Sequence, residues 1–275
     1  MAPRARGRIV TLTSDVGAAY SAQMKAVLAR SIDIGRVVEL AHDLPAHGVA
    51  EAAFLLRAMA RGFPPGTVHV AVVDPGVGGQ RAALVIECAD GSLLVGPDNG
   101  LLVPLAEALG HPRAYALAPR AGVNRGRVGT TFDGRDLFAP VAARLARGAR
   151  PARLGRRVRP VRLSLPTARR TFEGGQGEVV HVDRFGNLIT DLPTDWVPPG
   201  TERLRARLPG GRRIVPWVAS YDALPPRSLG AIGSSFGTVE LFVREGRAAD
   251  RLSARTGTTV AIDWTARGRR GRIGK

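Results

Sequence analysis

The sequence predicts an α/β protein in which an N-terminal α/β Rossmann-like domain is followed by a smaller C-terminal β-barrel-like domain. Short β-branched apolar runs alternate with amphipathic helical patterns over the first half of the chain. Beyond residue 178 the helical patterns nearly vanish and short strands follow one another. A stretch rich in Arg, Pro and Gly separates the two halves. We therefore expect domains at residues 8–165 and 176–264, and a basic disordered tail at 265–275.

The first half of the chain shows the alternation of strands and helices element by element. Strands are expected at residues 9–13, 37–40, 68–73, 82–86 and 93–95, and helices at 18–30, 49–61, 101–109 and 137–146. The run at 68–73 is β-branched and almost unbroken, which predicts a strand buried on both faces of a parallel-type sheet. In the second half, strands are expected at 179–182, 188–190, 215–219, 238–243 and 259–262.

Polar residues recur where these predicted strands end. Asp15, Asp74, and Asp98 with Asn99 each follow a strand, which is where open α/β sheets bind ligands. A glycine-rich loop leads from Asp74 to Arg81, and because a strand rather than a helix follows it, the loop is not a dinucleotide-binding fingerprint. Two alternatives stay open: Asp15 caps the following helix, and the Asp74 loop is a structural turn with an exposed ion pair.

The basic residues allow several interpretations. The formal net charge is +17, and only Lys25 and Lys275 are lysines, so 38 of the 40 basic residues are Arg. Aromatic residues make up 5% and the Arg residues are spread along the chain, so the pattern of a single-strand nucleic-acid binder is missing. Residues 137–172 contain ten Arg and no acidic residue, and we interpret the Arg-rich part of this segment as a solvated linker at the domain boundary. Nucleic acid is not expected to be the main partner.

The remaining composition indicates a globular cytoplasmic protein. Hydrophobic residues make up 44% of the chain, which is enough to fill a core. No apolar run approaches the roughly 20 residues that span a bilayer, and the N-terminus lacks the apolar region of a signal peptide. The single Cys88 is expected to be a buried structural thiol. His42 and His47 are either polar site residues or structural groups.

Several stretches together resemble one family, the S-adenosyl-L-methionine (SAM) hydroxide adenosyltransferases, which are adenosine-forming hydrolases related to fluorinase and chlorinase. The matching stretches cover nearly the whole chain in the family's order: TLTSDVG, QMKAVL, HDLPAHGVAEAAFLL, FPPGTVHVAVVDPGVGGQR, VGPDNGLL, TFDGRDLFAPVAARLARG, VDRFGNLITDL and IGSSFGTVELFV. Together DPGVG, PDNG and FGNLIT are specific, although each one alone is weak evidence.

The resemblance implies a fold, an assembly and a reaction. It implies a homotrimer that holds SAM between one subunit's first domain and its neighbour's second, and displacement of methionine from the ribose 5′ carbon by water or hydroxide. No cofactor and no metal are implied. The family's catalytic Asp and Arg map to Asp74 and Arg81, and its His, from the motif TFHGRD, is replaced by Asp133. The resemblance implies that Asp15 binds the ribose and that Asp183 and Asn187 face the methionine amine and the adenine. It also implies Phe185 as a wall of the site, Ser234 and Ser235 in its methionine-side loop, and Asn99 as a further substrate-binding residue.

Other positions also depart from the family's pattern. The loop after Asp15 is two residues shorter and lacks a further Asp, Gly48 replaces the Asp of the PPxD motif, and Gly134 stands where the halogenases have Ser. Three hypotheses follow. The protein is a SAM hydrolase with a modified triad, a non-catalytic binder of SAM or adenosine, or an Arg-rich nucleic-acid-associated protein on the same fold.

Overall fold

The structure is a computed structural model that describes residues 7–118 and 131–264. The chain divides into two compact units, Met1–Ser164 and Leu165–Lys275. The tail expected at 265–275 lies outside the described residues. None of the helices in the described ranges has the length and apolar character that crossing a membrane requires.

The first unit is built on one seven-stranded sheet. Its strands are β1 Val10–Ser14, β2 Val37–Ala41, β3 Val68–Val72, β4 Ala83–Glu87, β5 Leu93–Pro97, β6 Arg113–Leu117 and β7 Gly155–Val158. Its helices are α1 Gly17–Ala29, α2 Val49–Ala60, α3 Val103–Ala108 and α4 Ala139–Ala146, with a π-helical turn at Gly134–Phe138 and 3₁₀ turns at Ile34–Arg36 and Pro151–Arg153.

The strand order is β2-β1-β3-β5-β4-β6-β7, and the four strands β2, β1, β3 and β5 are parallel. β4, β6 and β7 join through antiparallel pairs. Every residue of β3 is buried, as its unbroken apolar pattern predicts. The carboxyl ends of the adjacent strands β1, β3 and β5 therefore meet at one edge of the sheet.

Helices cover both faces of this sheet. Side chains of α1 and α4, among them Leu28 and Leu145, pack against Val70 and Val95 from one face. The alternate residue Ile86 lies on the other face, where it lines a cavity together with Val103 of α3. α2 and α3 contact each other. The result is the three-layer α/β arrangement that the alternating pattern predicts.

The interpretation of the Arg-rich segment as a solvated linker is wrong for its first part. The helix predicted at 137–146 forms as α4, but beyond it Pro151–Arg153 form a 3₁₀ turn and Gly155–Val158 form β7. β7 is an edge strand that was missed because its sequence GRRV shows no alternation of apolar and polar residues. Arg156 and Arg157 are exposed on it. Charged residues on an edge strand oppose pairing with other chains. β6 was also not predicted, because its sequence RAYAL is low in β-branched residues.

The second unit is an antiparallel sheet that nearly closes into a barrel. Its path runs β12-β11-β15-β9-β10-β14-β13, and β8 pairs with β9 outside that path. After β12, Trp217 bridges to Ala231 of β13, which links the two ends of the sheet. The elements are β8 Arg169–Arg170, β9 Gly174–Val182, β10 Leu188–Pro193, β11 Arg203–Leu208, β12 Gly211–Pro216, β13 Leu229–Gly233, β14 Thr238–Val243, β15 Thr259–Trp264, α5 Ala248–Leu252 and 3₁₀ turns at Thr194–Trp196 and Tyr221–Ala223.

The barrel has its own core. Leu188, Leu204, Val239 and Leu241 are fully buried in it, and they come from strands spread around the sheet. The fold class is confirmed: an α/β domain is followed by a smaller, barrel-like β domain. Three strands, β8, β11 and β13, were not expected, and the strand predicted at 215–219 lies instead at Gly211–Pro216, where it forms β12.

Candidate active site

Arg81 joins two carboxylates at the end of β3. Its Nε donates to both oxygens of Asp74, at 3.0 and 2.9 Å, and its Nη2 also donates to Asp74 Oδ2. The same Nη2 donates to Asp133 Oδ2 at 2.6 Å. The structure therefore brings together all three of the predicted catalytic residues, and Asp133, which replaces the expected His, is in direct contact with the Arg.

These three side chains, which we call the Arg81 cluster, are mostly buried. The side-chain exposures are 15% for Arg81, 5% for Asp74 and 10% for Asp133. The ion pair is therefore not exposed, which corrects that part of the alternative. Burial disfavours the guanidinium charge, but hydrogen bonds to Asp74 and Asp133, together with their negative charges, raise the pKa of Arg81 above its ordinary value. Arg81 is therefore a fixed cation at the centre of the cluster.

The loop after β3 places Arg81 back against Asp74. Asp74 follows the last buried residues of β3, and the loop turns through Gly78, whose φ is +78°. A Cβ on Gly76 would lie 3.3 Å from Arg81 Cγ, so only Gly leaves room for this side chain without a shift. The guanidinium carbon also lies 5.5 Å from the centre of the fully buried Phe138 ring, which limits its movement.

Asp133 is held by a rigid segment. It immediately precedes the π-helical turn Gly134–Phe138, a distortion that often marks functional sites. In that turn Arg135 binds both oxygens of the buried Asp136 at 2.8 Å. A Cβ on Gly134 would lie 2.7 Å from a ring carbon of Phe132. The Ser that halogenases carry at this position would therefore need the ring to move.

Asp15 and Asn99 lie at the two strand ends that flank Asp74. The Asp15 N–H donates to the Val72 carbonyl at 3.4 Å, and Asp15 Oδ2 accepts from the His47 N–H at 3.1 Å. Asp15 does not cap α1, since that helix has no side-chain cap. Asn99 Nδ2 donates to the Val73 carbonyl at 2.8 Å, directly before Asp74. Its amide thus fixes the backbone that carries Asp74.

In the second unit, Asp183 organises the turn between β9 and β10. Its Oδ1 accepts from the N–H groups of Phe185 and Asn187 at 2.9 and 2.8 Å, and its Oδ2 accepts from Asn187 Nδ2 at 3.1 Å. Phe185 is 61% exposed, and the guanidinium carbon of Arg184 lies over its ring, 4.8 Å from the ring centre. The three residues predicted from the motif DRFGN are therefore neighbours in one preorganised turn.

Ser234 and Ser235 lie in a different turn, between β13 and β14. Because β10 and β14 are antiparallel, with Leu188 opposite Leu241, this turn is at the opposite end of the strand pair from Asn187. Ser234 Oγ accepts from the Phe236 N–H at 3.2 Å, so it stabilises its own turn, whereas Ser235 is exposed. Within one unit these two serines do not join the Asp183 turn.

Two further polar groups were not assigned from the sequence. Glu240 of β14 is buried, and its Oε1 accepts from Tyr221 Oη at 2.8 Å. Burial raises the pKa of Glu240, the Tyr221 hydrogen bond opposes this, and the Asp183 charge adds to it. The sequence feature that could have indicated Glu240 is a single acidic residue within the apolar run TVELFV.

The second polar group surrounds His42, near the end of β2. Among the described residues no set of three or more His, Cys, Asp and Glu is arranged to hold a metal ion.

Comparison with known protein families gives one match in each half of the chain. The SAM hydroxide adenosyltransferase N-terminal domain matches residues 10–155, and the C-terminal domain of the same family matches residues 177–261. The chain belongs to the SAM hydroxide adenosyltransferase family. The two matched ranges fall in the two compact units, one in each.

Individual proteins are similar to this chain over nearly their whole length. A protein of Salinispora tropica named (R)-S-adenosyl-L-methionine hydrolase is 40% identical over 259 residues, which cover 92% of this chain and 97% of the relative. One of the same name from Thermus thermophilus is 38% identical over 268 residues, or 93% and 99%. The crystal structure of an uncharacterized conserved protein from Thermotoga maritima superposes with a TM-score of 0.85 at 29% identity, covering 93% of this chain and 100% of that one.

Proposed function

We propose that the protein hydrolyses SAM to adenosine and L-methionine by attack of water on the ribose 5′ carbon. The observation that carries the proposal is the Arg81 cluster, in which one buried guanidinium binds both Asp74 and Asp133. The chain that carries this cluster belongs to the SAM hydroxide adenosyltransferase family. Relatives that are 38–40% identical to it over more than nine-tenths of its length are named SAM hydrolases.

The proposed step balances without a cofactor. The water oxygen forms a bond to C5′, the C5′–S bond breaks, and its electron pair passes to sulfur, so that the sulfonium becomes the neutral thioether of methionine. The water loses one proton. Since the sulfonium leaves without protonation, the protein has to position the water in line with the C5′–S bond and accept that proton.

The charge of the Arg81 cluster suits a cationic substrate. One guanidinium and two carboxylates give a net charge of −1, and the low exposure of the three side chains strengthens their field relative to that in water. A sulfonium next to the cluster would complete the charge balance. We assign Arg81 and Asp74 to the positioning of the water, and Asp133 to the acceptance of its proton.

The remaining assignments come from the resemblance. We propose that Asp15 binds the ribose hydroxyls, and that Asp183 and Asn187 face the methionine amine and the adenine, with Phe185 as a wall. We propose that Asn99 contributes to substrate binding by holding the backbone at Val73, directly before Asp74, through its side-chain amide. Ser234 and Ser235 are proposed as contacts on the methionine side, and the exposed Ser235 is the better placed of the two to reach a ligand.

We also propose that the protein is a cytoplasmic homotrimer, in which each SAM is bound by the first unit of one copy and the second unit of its neighbour. The support is the family's assembly and the presence of predicted site residues in both units. Light scattering on the purified chain tests the assembly. A monomer that still binds ligand would contradict it.

The deciding experiment incubates the protein with SAM and measures adenosine and methionine by chromatography. Equal amounts of both products, absent with the Arg81→Met variant, are expected. The replacement of His by Asp133 favours one alternative, a binder without turnover. Calorimetric binding of SAM or adenosine with no product would establish that alternative, and no binding of either at millimolar concentration would refute both.

A further inference from the structure

A polar cluster lies beside Asp15 and contains His42. The ring sits between two serines and a carboxylate: Nδ1 lies 3.3 Å from Ser14 Oγ, and Nε2 lies 2.8 Å from Glu39 Oε1 and 3.0 Å from Ser21 Oγ. Lys25 Nζ contacts the other Glu39 oxygen at 3.0 Å. We call these five residues the His42 cluster. It connects the ends of β1 and β2 with α1.

The hydrogen bonds fix the orientation of the imidazole. Hydrogen bonds from Ser21 and Lys25 lower the pKa of Glu39 despite some opposition from burial, and the charge of Lys25 lowers it further. An ionised carboxylate only accepts hydrogen bonds, so His42 Nε2 carries the proton that Glu39 binds. In the neutral ring Nδ1 is then the acceptor, and the Ser14 hydroxyl donates to it.

This arrangement resembles a hydroxyl activated by an imidazole and a carboxylate, but Ser14 is not placed for nucleophilic attack. Its relative exposure is 1%, so its hydroxyl does not reach a substrate. A buried hydrogen-bonded hydroxyl of this kind instead holds its own backbone in place. The residue whose position it controls most directly is the next one, Asp15.

The segment that follows β2 holds Asp15 from a second side. The His42 carbonyl accepts from the Gly17 N–H at 2.8 Å, and the Ser14 carbonyl accepts from the Leu44 N–H at 3.4 Å. The His47 N–H donates to the Asp15 carboxylate itself at 3.1 Å. Residues on both sides of Asp15 are therefore tied to the segment that begins at His42.

We propose that His42 is a positioning residue for Asp15, acting through the Nδ1 hydrogen bond to Ser14. The inference rests on the proposed function, because it takes Asp15 as the carboxylate that binds the ribose. A carboxylate that is fixed before binding loses less conformational freedom when the ribose hydroxyls arrive, so the ligand binds more tightly. Asp15 would contact the ribose in both the bound substrate and the transition state, so its position affects KM more than kcat.

Two variants of His42 separate its two hydrogen bonds. In His42→Asn the side-chain amide takes the place of Nδ1, so it can keep the hydrogen bond to Ser14. In His42→Gln the amide takes the place of Nε2, so it can keep the hydrogen bonds to Glu39 and Ser21 but loses the one to Ser14. We expect His42→Gln to raise the adenosine Kd about fivefold to tenfold in calorimetry, the loss of one hydrogen bond. His42→Asn should stay within about threefold of the wild type. Ser14→Ala should reproduce His42→Gln.

Kinetics supply a second readout that a purely structural residue would not give. The KM for SAM should rise by the same factor as the adenosine Kd in His42→Gln and Ser14→Ala, with kcat within about twofold. Combining the two substitutions should add no further loss, because both break the same contact. Melting temperatures of all variants, measured on the same samples, monitor folding.

Several results would overturn the positioning proposal. Wild-type adenosine affinity in both His42→Gln and Ser14→Ala would do so, as would an equal loss in His42→Asn and His42→Gln that follows their melting temperatures. Both results leave the proposed function standing. A wild-type protein that binds neither adenosine nor SAM overturns the proposed function and this inference together.

Discussion

The most informative perturbation of the Arg81 cluster removes its cation. Arg81→Met leaves Asp74 and Asp133 facing each other, with side-chain exposures of 5% and 10%. Removing one partner of a buried ion pair costs about 3–5 kcal/mol of stability. Both carboxylates bind the same Nη2, so their nearest oxygens lie within about 6 Å of one another. At an effective dielectric constant of about 20, two charges at that distance repel by about 3 kcal/mol.

This repulsion predicts that the effect of Asp133→Asn changes sign. In the wild type the substitution replaces a charge-assisted hydrogen bond to Arg81 with a neutral one and should lower the free energy of unfolding by about 1 kcal/mol. In the Arg81→Met background it removes one of two repelling charges and should raise the free energy of unfolding by about 2 kcal/mol. The coupling between the two positions is then about 3 kcal/mol.

Urea denaturation at pH 7.5 and constant protein concentration measures all four proteins of this cycle. Asp33→Asn is the matched control, because Asp33 is exposed and caps a surface turn; it should change stability equally in both backgrounds. The reasoning is refuted if Asp133→Asn destabilises the wild type and Arg81→Met by the same amount. Equal effects would mean that the two carboxylates do not interact through Arg81.

Three other substitutions test separate parts of the structure. His69 is buried against Thr11, and burial lowers its pKa from 6.5 to about 4, so its contribution is lost as the pH falls below 6.5; at pH 5 this loss is about 2 kcal/mol. Urea denaturation at pH 7.5 and 5 should show a weaker pH dependence in His69→Asn, with the exposed His111→Asn as control. Gly134→Ala should cost about 1–3 kcal/mol because the new Cβ meets Phe132 at 2.7 Å; differential scanning calorimetry with no loss would contradict the close contact. Asp133→His should raise adenosine formation near pH 7, where an imidazole exchanges protons, and a pH–rate profile with no gain would assign the proton transfer to the carboxylate.

The parts of the fold that the sequence predicted are those in which local pattern and burial agree. β3 is apolar at almost every position and buried on both faces, and α1 places Met24 and Leu28 on one buried side. β11 shows why other elements were missed. Its sequence RLRARL alternates exposed Arg with buried apolar residues, a strand pattern that the surrounding Arg-rich composition conceals.

The candidate site divides in the same way into local and long-range parts. Asp74 and Arg81 are seven residues apart in one loop, so their pairing was open to a sequence argument. Asp133 lies 52 residues beyond Arg81 and reaches it only through the fold, so no local pattern predicts the contact. The family resemblance supplied that position. The resemblance gave no indication of the His42 cluster. That cluster joins side chains from β1, from β2 and the residue after it, and from α1, so no single sequence pattern contains it.

Asp133, which stands where the resemblance implies a His, changes the charge of the site and binds Arg81 directly. With a neutral imidazole the three groups would sum to zero, whereas the two carboxylates beside Arg81 sum to −1. Under the proposed function, a negative site would bind the sulfonium of SAM more tightly than neutral adenosine, so its charge would favour the substrate over the product. The same attraction weakens as the sulfonium loses its charge during the reaction, so part of it stabilises the bound substrate more than the transition state. If the protein hydrolyses SAM as we propose, we expect the substitution to exchange turnover for selectivity between SAM and adenosine, and Asp133→His to reverse both effects together.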